Sequence, residues 1–364
     1  MRVGLLIYSS LESISGGYLY DRQLVDYLRS LGDIVETISL PWRNYPLHLL
    51  DNFSCELGER LVSARLDVLL QDELNHPSLF WLNRRLRERL STPLVSIVHH
   101  LRSSEKYPGW QNRLYRAVER RYFATLDGII FNSQTTRLAV GQLGVRLEGL
   151  PHLVAYPAGN HIGVQINAAE IRRRVDESGP LRLLYVGNVI PRKGLLLVLK
   201  ALSGIPPDSW ILKVVGSLES DRSYTKMVIR QITESGLGGC VELCGSLINT
   251  DLIEALKASQ VLVLPSYYEG YGIAYLEGMA FGMPAIATSQ GAAGEIITNG
   301  QNGVLITPGS IGELREGLQK LILDRGLLLR MSLAARERYQ AQPTWEQTGH
   351  SIREFLTSVK RKGR

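Results

Sequence analysis

The stretch Pro265-Ser-Tyr-Tyr-Glu-Gly-Tyr-Gly-Ile-Ala-Tyr-Leu-Glu277 joins an apolar run, Gln260 to Leu264, to a helical pattern, Ile273 to Phe281. The first reads as a buried strand and the second as a helix, so Gly270 and Gly272 occupy a strand-to-helix turn. Such a turn attracts anions. The first N–H groups of the helix have no intrahelical partner, the helix dipole is positive there, and glycines let a ligand come close to the backbone. Glu269 and Glu277 lie eight residues apart across this turn, on the order of 10 Å at about 1.5 Å per residue. That is about the span between the hexose and the ribose of a nucleotide sugar. Each carboxylate would accept hydrogen bonds from vicinal hydroxyls, with the diphosphate between them.

Outward from this turn, strands and helices alternate. Apolar runs at Val3 to Tyr8, Ile34 to Leu40, Asp67 to Leu70, Leu94 to Val98 and Asp127 to Phe131 are separated by helical patterns, the mark of a parallel sheet. A second series follows at Leu181 to Val186, Trp210 to Val215, Cys240 to Leu243, Val261 to Leu264 and Ala285 to Ala287. Between them, Pro157 to Pro180 carries Gly159, Gly163, Gly179 and a charged, helix-like piece around Ile171-Arg-Arg-Arg-Val175, and reads as an interdomain connection. Two doubly wound domains are therefore expected, with ligands at the carboxyl ends of both sheets, in a cleft where the two face each other.

A chain of 364 residues with 45% hydrophobic composition is long enough for two ordinary domains. No apolar run approaches the roughly 18 residues of a membrane-spanning helix. The opening Met1-Arg-Val-Gly-Leu-Leu-Ile-Tyr8 reads as a first buried strand rather than a signal peptide, so a cytoplasmic protein is expected. Cys55, Cys240 and Cys244 are too few for a disulfide framework and read as buried, reduced thiols.

Glu269 to Glu277 resembles the E-x7-E signature of the retaining glycosyltransferases of family four, which have the GT-B fold. Gly187-Asn-Val-Ile-Pro-Arg-Lys-Gly194 resembles that family's phosphate loop, and Gly16-Gly17 its N-terminal glycine loop. Val98-His99, Phe131-Asn-Ser-Gln134, Tyr156-Pro-Ala-Gly159, Gly282-Met-Pro-Ala285, Gly294-Glu-Ile-Ile297 and Asn302-Gly-Val-Leu305 fit as well, in family order along nearly the whole chain. The resemblance implies an acceptor-side domain over 1–165, a nucleotide-sugar-binding domain over 166–344, and a terminal helix over 345–364 that packs back on the first domain.

Catalysis is expected from His99, Lys193 and Glu269. Lys193 would sit against the leaving diphosphate, where a preorganised cation stabilises the developing charge. The resemblance places His99 near the reacting carbon, position matching favouring it over His100. The donor is expected to touch Gly16, Gly17, Asn188, Arg192, Lys193, Gly245, Leu247, Glu269, Gly270, Tyr271, Gly272, Ile273 and Glu277, with backbone groups around Gly245-Ser-Leu247 holding the base. The chain departs from the family at Asn188, where arginine is usual, so a neutral amide replaces a charge; Arg192 is the candidate to compensate.

The implied reaction is transfer of a hexose, with retention, to a hydroxyl of a glycan or lipid-linked glycan. The leaving phosphate oxygen would take the acceptor proton, unlike retaining hydrolases, where a carboxylate is the nucleophile. No Asp-x-Asp triplet occurs, so no metal and no cofactor is expected at the diphosphate. Two alternatives remain: a nucleotide-sugar epimerase, and a nucleotide-sugar-binding protein impaired in catalysis by Asn188. Charge bears on the acceptor. The chain has a net charge of +6, yet Trp81 to Arg121 holds nine arginines and one lysine against three glutamates, a local +7. Basic amphipathic helices with Trp and Tyr suit an anionic membrane surface, and equally an ordinary solvated arginine face. No motif for nucleic acid accompanies the charge. Asp72, Glu73 and His76 also follow a strand of the first series and are candidates to line the acceptor side, with no role assigned.

Overall fold

A computed structural model describes residues 1–13 and 15–362. The chain divides into two compact units, Met1–Pro157 with Pro343–Arg364, and Ala158–Gln342.

The first unit holds a six-stranded sheet of β1 (Arg2–Tyr8), β2 (Ile34–Leu40), β3 (Val68–Asp72), β4 (Leu94–Val98), β5 (Gly128–Phe131) and β6 (His152–Val154). The order is β2-β1-β3-β4-β5-β6 and every pairing is parallel. Strands β3, β4 and β5 are buried at every residue, as expected of a parallel sheet covered on both faces by helices. The terminal helix Trp345–Lys362 belongs to this unit. Ile352 and Leu356 are fully buried, Thr348 Oγ1 donates to the Tyr156 carbonyl (2.8 Å), and Arg353 Nε donates to Asp33 Oδ2 (2.7 Å).

The second unit holds β7 (Leu181–Val186), β8 (Trp210–Val215), β9 (Val241–Gly245), β10 (Val261–Val263), β11 (Ala285–Thr288) and β12 (Gly303–Ile306), ordered β12-β11-β10-β7-β8-β9 and again all parallel. Counted from β7, this is the order 3-2-1-4-5-6 of a doubly wound dinucleotide fold. Strand order reverses between β7 and β10, and the loops leaving those two strands flank the crevice where such sheets bind ligands.

Three sequence expectations change. The segment 157–180 is no linker: Ala158 onward lies inside the second unit, and helix Ala168–Asp176 buries Ile171 and Val175. The last residue of its charged run, Arg174, is 5% exposed because it donates to the carbonyls of Phe281 (2.6 Å) and Gly282 (3.2 Å). The three thiols are free, but Cys55 is exposed at the start of helix Cys55–Ser63, while Cys240 and Cys244 are half-buried at the edge strand β9. The basic pattern expected to be helical over 82–90 is helical only over Leu82–Leu86; Arg87 and Arg89 instead pair with Asp127 (2.8 Å) and Glu59 (2.7 Å). Among the described residues no helix is long and apolar enough to cross a membrane.

Candidate functional site

In the second unit, the loops after β7 and β10 converge on one carboxylate. The β7 loop turns through Pro191–Lys193 and ends at Gly194, which packs against the Pro265 carbonyl of the β10 loop. Tyr267 N donates to the Arg192 carbonyl (2.8 Å), and Arg192 Nη1 to the Tyr268 carbonyl (2.8 Å). These ties deliver Lys193 Nζ to 2.5 Å from Glu269 Oε1, which also accepts from Ser266 Oγ (2.6 Å). Arg192 stands 3.9 Å from Glu269 Oε2, so two consecutive side chains serve the same group.

Burial opposes ionisation of Glu269, but the Lys193 and Arg192 charges and the Lys193 and Ser266 hydrogen bonds outweigh it, holding the carboxyl down at about 2. Burial lowers the Lys193 ammonium, with Glu269 opposing that shift. Glu269 is thus ionised at neutral pH. Stability from ionised Glu269 is fully present above its ordinary value near 4.5 and is lost as pH falls through about 2.

Helix Ile273–Ala280 follows, capped by Gly272 in the left-handed region (φ 100°), so its first-turn N–H groups open beside Glu269. Tyr271 is buried with its hydroxyl donating to Gln342 Oε1 (3.0 Å). Glu277, one turn from the end of this helix and 9% exposed, lies 3.0 Å from His161 Nε2. Asn188 accepts at Oδ1 from Ser217 N (3.3 Å), tying the β7 loop to the β8 loop. Its amide therefore serves a structural tie that a charged arginine would not make. Gly245 and Leu247 stand farther out, at the end of edge strand β9, with β8 between them and β7.

The Glu269 backbone is braced from behind by Gly291. With φ at +75°, a Cβ there would lie 2.2 Å from the Glu269 carbonyl oxygen. Gly291→Ala must therefore displace the main chain of Glu269 as well as adopt a left-handed backbone costing about 1–2 kcal/mol. We expect it to lower the thermal midpoint by several degrees and to weaken ligand binding in parallel; an unchanged midpoint would contradict this packing.

In the first unit, His99 follows β4, fixed by Asn132 Nδ2 donating to its carbonyl (2.9 Å). Gly17 lies against the imidazole: a Cβ there would be 3.2 Å from His99 Cδ2, so the glycine loop and the histidine are in contact. His99 Nε2 is 3.1 Å from Oδ1 of fully buried Asp21, on the helix Gly16–Ser30. Burial disfavours the imidazolium, but Asp21, then Asp72 and Glu73, outweigh it and raise His99 to about 9. Asp72, at the end of β3, is pushed up to about 7, chiefly by burial. His100, by contrast, pairs with Glu105 (3.0 Å).

A histidine raised in the fold contributes stability fully present below its ordinary 6.5 and lost as pH rises through about 9. Asp21→Asn removes the principal counter-charge. Its expected result is a His99 ring titration, followed by NMR, moved from about 9 back toward 6.5, with alkaline stability loss setting in correspondingly earlier. A titration unmoved by the substitution would contradict the assignment.

The structure thus gathers Lys193, Arg192, Glu269, Gly270, Tyr271, Gly272 and Ile273 in one place, with Asn188 and Glu277 at its margins, and His99 with Gly16 and Gly17 in the other unit. Sequence reasoning named Asp72 without a role and missed Ser266, His161 and Asp21. Ser266 lies within the Pro265–Glu277 stretch, and His161 two residues beyond the Tyr156-Pro-Ala-Gly159 motif.

Comparison with known proteins follows this division. A family model for glycosyl transferases group 1 matches residues 167–338, and one for a glycosyl transferase 4-like domain matches residues 19–150. The glycogen synthase of Mycobacterium tuberculosis is 25% identical over 295 residues, 79% of this chain and 67% of that protein. A GDP-mannose-dependent phosphatidylinositol monomannoside mannosyltransferase of the same organism is 25% identical over 52% of this chain and 50% of its own length. Among solved structures, the sucrose-phosphate synthase of Thermosynechococcus elongatus superposes with a TM-score of 0.83 over 100% of both chains at 20% identity. Anabaena HepE in complex with UDP-glucose does so with a TM-score of 0.78 over 98% of this chain and 100% of that one, at 21% identity. With a 4-like domain in its first unit and a group 1 domain in its second, the chain is a glycosyltransferase of the two-domain α/β fold called GT-B.

Proposed function

We propose that this glycosyltransferase moves a hexose, with retention of anomeric configuration, from a nucleotide-diphosphate sugar to a hydroxyl of a glycan or lipid-linked glycan. The observation that carries the reading is the Lys193–Glu269 pair at the carboxyl ends of β7 and β10, beside a helix N-terminus and eight residues before Glu277. A diphosphate drawn to that helix terminus meets the Lys193 ammonium, and as the glycosidic bond breaks, the charge gathering on the leaving oxygen strengthens both contacts. Glu269, already ionised, accepts from sugar hydroxyls, and Glu277 from the ribose. His99, on the acceptor-side unit, is assigned to the sugar near the reacting carbon. The UDP-glucose complex of HepE and the GDP-mannose dependence of the mycobacterial mannosyltransferase support the donor class.

The protein would work without a metal at the diphosphate, since a lysine and backbone N–H groups supply the positive field there. It would act in the cytoplasm at an anionic membrane surface, where the basic 81–121 segment and the exposed Trp81 and Trp110 fit. Incubation with UDP-, GDP- and ADP-hexoses and short glycan or glycolipid acceptors, without added Mg²⁺, tests this by NMR of the product's anomeric proton. A product with the donor's configuration is expected; an inverted product would refute the retaining reading, and donor isomerisation without transfer would favour an epimerase.

A further inference from the structure

We propose that Glu73, His76 and Glu119 form a binding site for a divalent transition-metal ion of the Zn²⁺ or Mn²⁺ type, buried in the first unit and separate from the donor-binding residues. After β3 the chain turns through Glu73–Asn75 into the short helix His76–Leu79, which places Glu73 and His76 three residues apart. Glu119 comes from the buried face of helix Gly109–Phe123. One ligand atom from each of the three lies within 4.8 Å of the others. All are buried, at 0%, 1% and 0% exposure respectively.

Glu73 is the second, independent observation. Neither of its carboxylate oxygens has a hydrogen-bond partner, although both are shut off from solvent. His76 Nδ1 stands 3.1 Å from Oε1, but also 2.9 Å from the main-chain oxygen of the same residue, which takes the hydrogen bond. Arg102 does not reach the carboxylate with a hydrogen bond; its guanidinium lies over the rings of Tyr45, Tyr107 and Tyr115, 5.0–5.4 Å from their centroids. An ionised carboxylate left so costs several kcal/mol. A proton alone does not resolve this: on Oε1 it could meet His76 Nδ1 at 3.1 Å in the Nε2–H tautomer, but the other carboxyl oxygen would still have no donor.

A cation among the three residues does. It would take the Glu73 oxygens as ligands, together with the remaining lone pairs of Glu119 and His76 Nδ1, which gives up its bond to the Glu73 main-chain oxygen in the tautomer whose Nε2–H faces the Tyr45 hydroxyl. The outer partners that orient such ligands are in place. Ser103 donates to both Glu119 oxygens, from N (3.0 Å) and Oγ (2.5 Å), and the Tyr45 hydroxyl lies 3.2 Å from His76 Nε2. Two carboxylates and one imidazole suit Zn²⁺ or Mn²⁺. The ion would pin the segment after β3 to helix Gly109–Phe123.

The test measures the metal content of the full chain purified without added metal, then titrates the chelated protein with Zn²⁺ and with Mn²⁺ by calorimetry and thermal unfolding. About one equivalent of ion is expected, with a thermal midpoint that falls on chelation and recovers on re-addition. Glu73→Gln and His76→Asn should each weaken binding by at least about 100-fold, whereas His350→Asn, on the exposed side of the terminal helix, should not. The wild-type titration stands even if a variant fails to fold. Three results would overturn the proposal: no binding of either ion, a midpoint indifferent to chelation, or binding that survives both ligand substitutions. The first two would leave Glu73 as a buried acid bonded to trapped water, and the third would mark an adventitious surface ion.

Discussion

Lys193→Met is expected to lower kcat/KM by about 10³-fold, because it removes the ammonium proposed to meet the leaving diphosphate while keeping the aliphatic stem. Removing a single preorganised group that meets developing charge costs about 10²–10³ in rate. Lys193 belongs near the upper end, since its side chain is half-buried against Glu269 and the charge on the leaving group increases as the bond breaks. The substitution also strips Glu269 of its strongest partner. Ser266 and Arg192 remain, so the carboxyl should stay ionised at neutral pH but rise from about 2 toward its ordinary range. The loss should fall mainly on kcat, with donor KM affected less. A variant with wild-type kcat would sink the role assigned to Lys193.

Glu277→Gln is expected to weaken donor binding by about 10²-fold, chiefly in KM. A charged acceptor facing a ribose diol is worth about 1.5–3 kcal/mol more than leaving those hydroxyls unmet, and an amide offers one oxygen and no charge. The substitution also breaks the contact with His161 at 3.0 Å, loosening the loop Asn160–Ile162. Donors lacking a ribose hydroxyl separate the two effects. The wild-type enzyme should discriminate against a 2′- or 3′-deoxy nucleotide, and the variant should discriminate much less. Equal discrimination by both would place the ribose elsewhere.

Much of the fold was legible because long, continuous apolar runs bounded by turn residues have one reading in a parallel sheet. Leu94–Val98, Leu181–Val186 and Trp210–Val215 fall where the pattern puts them. Strands β6 and β12 escaped notice for a physical reason: they are three and four residues long, lie at sheet edges and are only partly buried, so at most three consecutive apolar residues mark them. The piece within 157–180 was legible as helical, but its packing was hidden by its three arginines, since nothing local shows that Arg174 is satisfied by carbonyls more than a hundred residues away. The site was legible where motif residues are close in sequence, as with Lys193 and Arg192 or Glu269 and Glu277. Their partners were not. Asp21 meets His99 across 78 residues, and His161 meets Glu277 across more than a hundred; a helical aspartate and a loop histidine carry no mark of such pairing.

Calorimetric titration of the wild-type chain, Lys193→Met and Glu277→Gln with UDP, GDP and ADP and their hexose conjugates tests the account most directly. The account predicts that one nucleotide family binds the wild-type protein and that both substitutions weaken it, Glu277→Gln through the nucleoside and Lys193→Met through the diphosphate. Binding that neither substitution disturbs, or no binding by any of the three families, would contradict the placement of the donor at the crevice between β7 and β10.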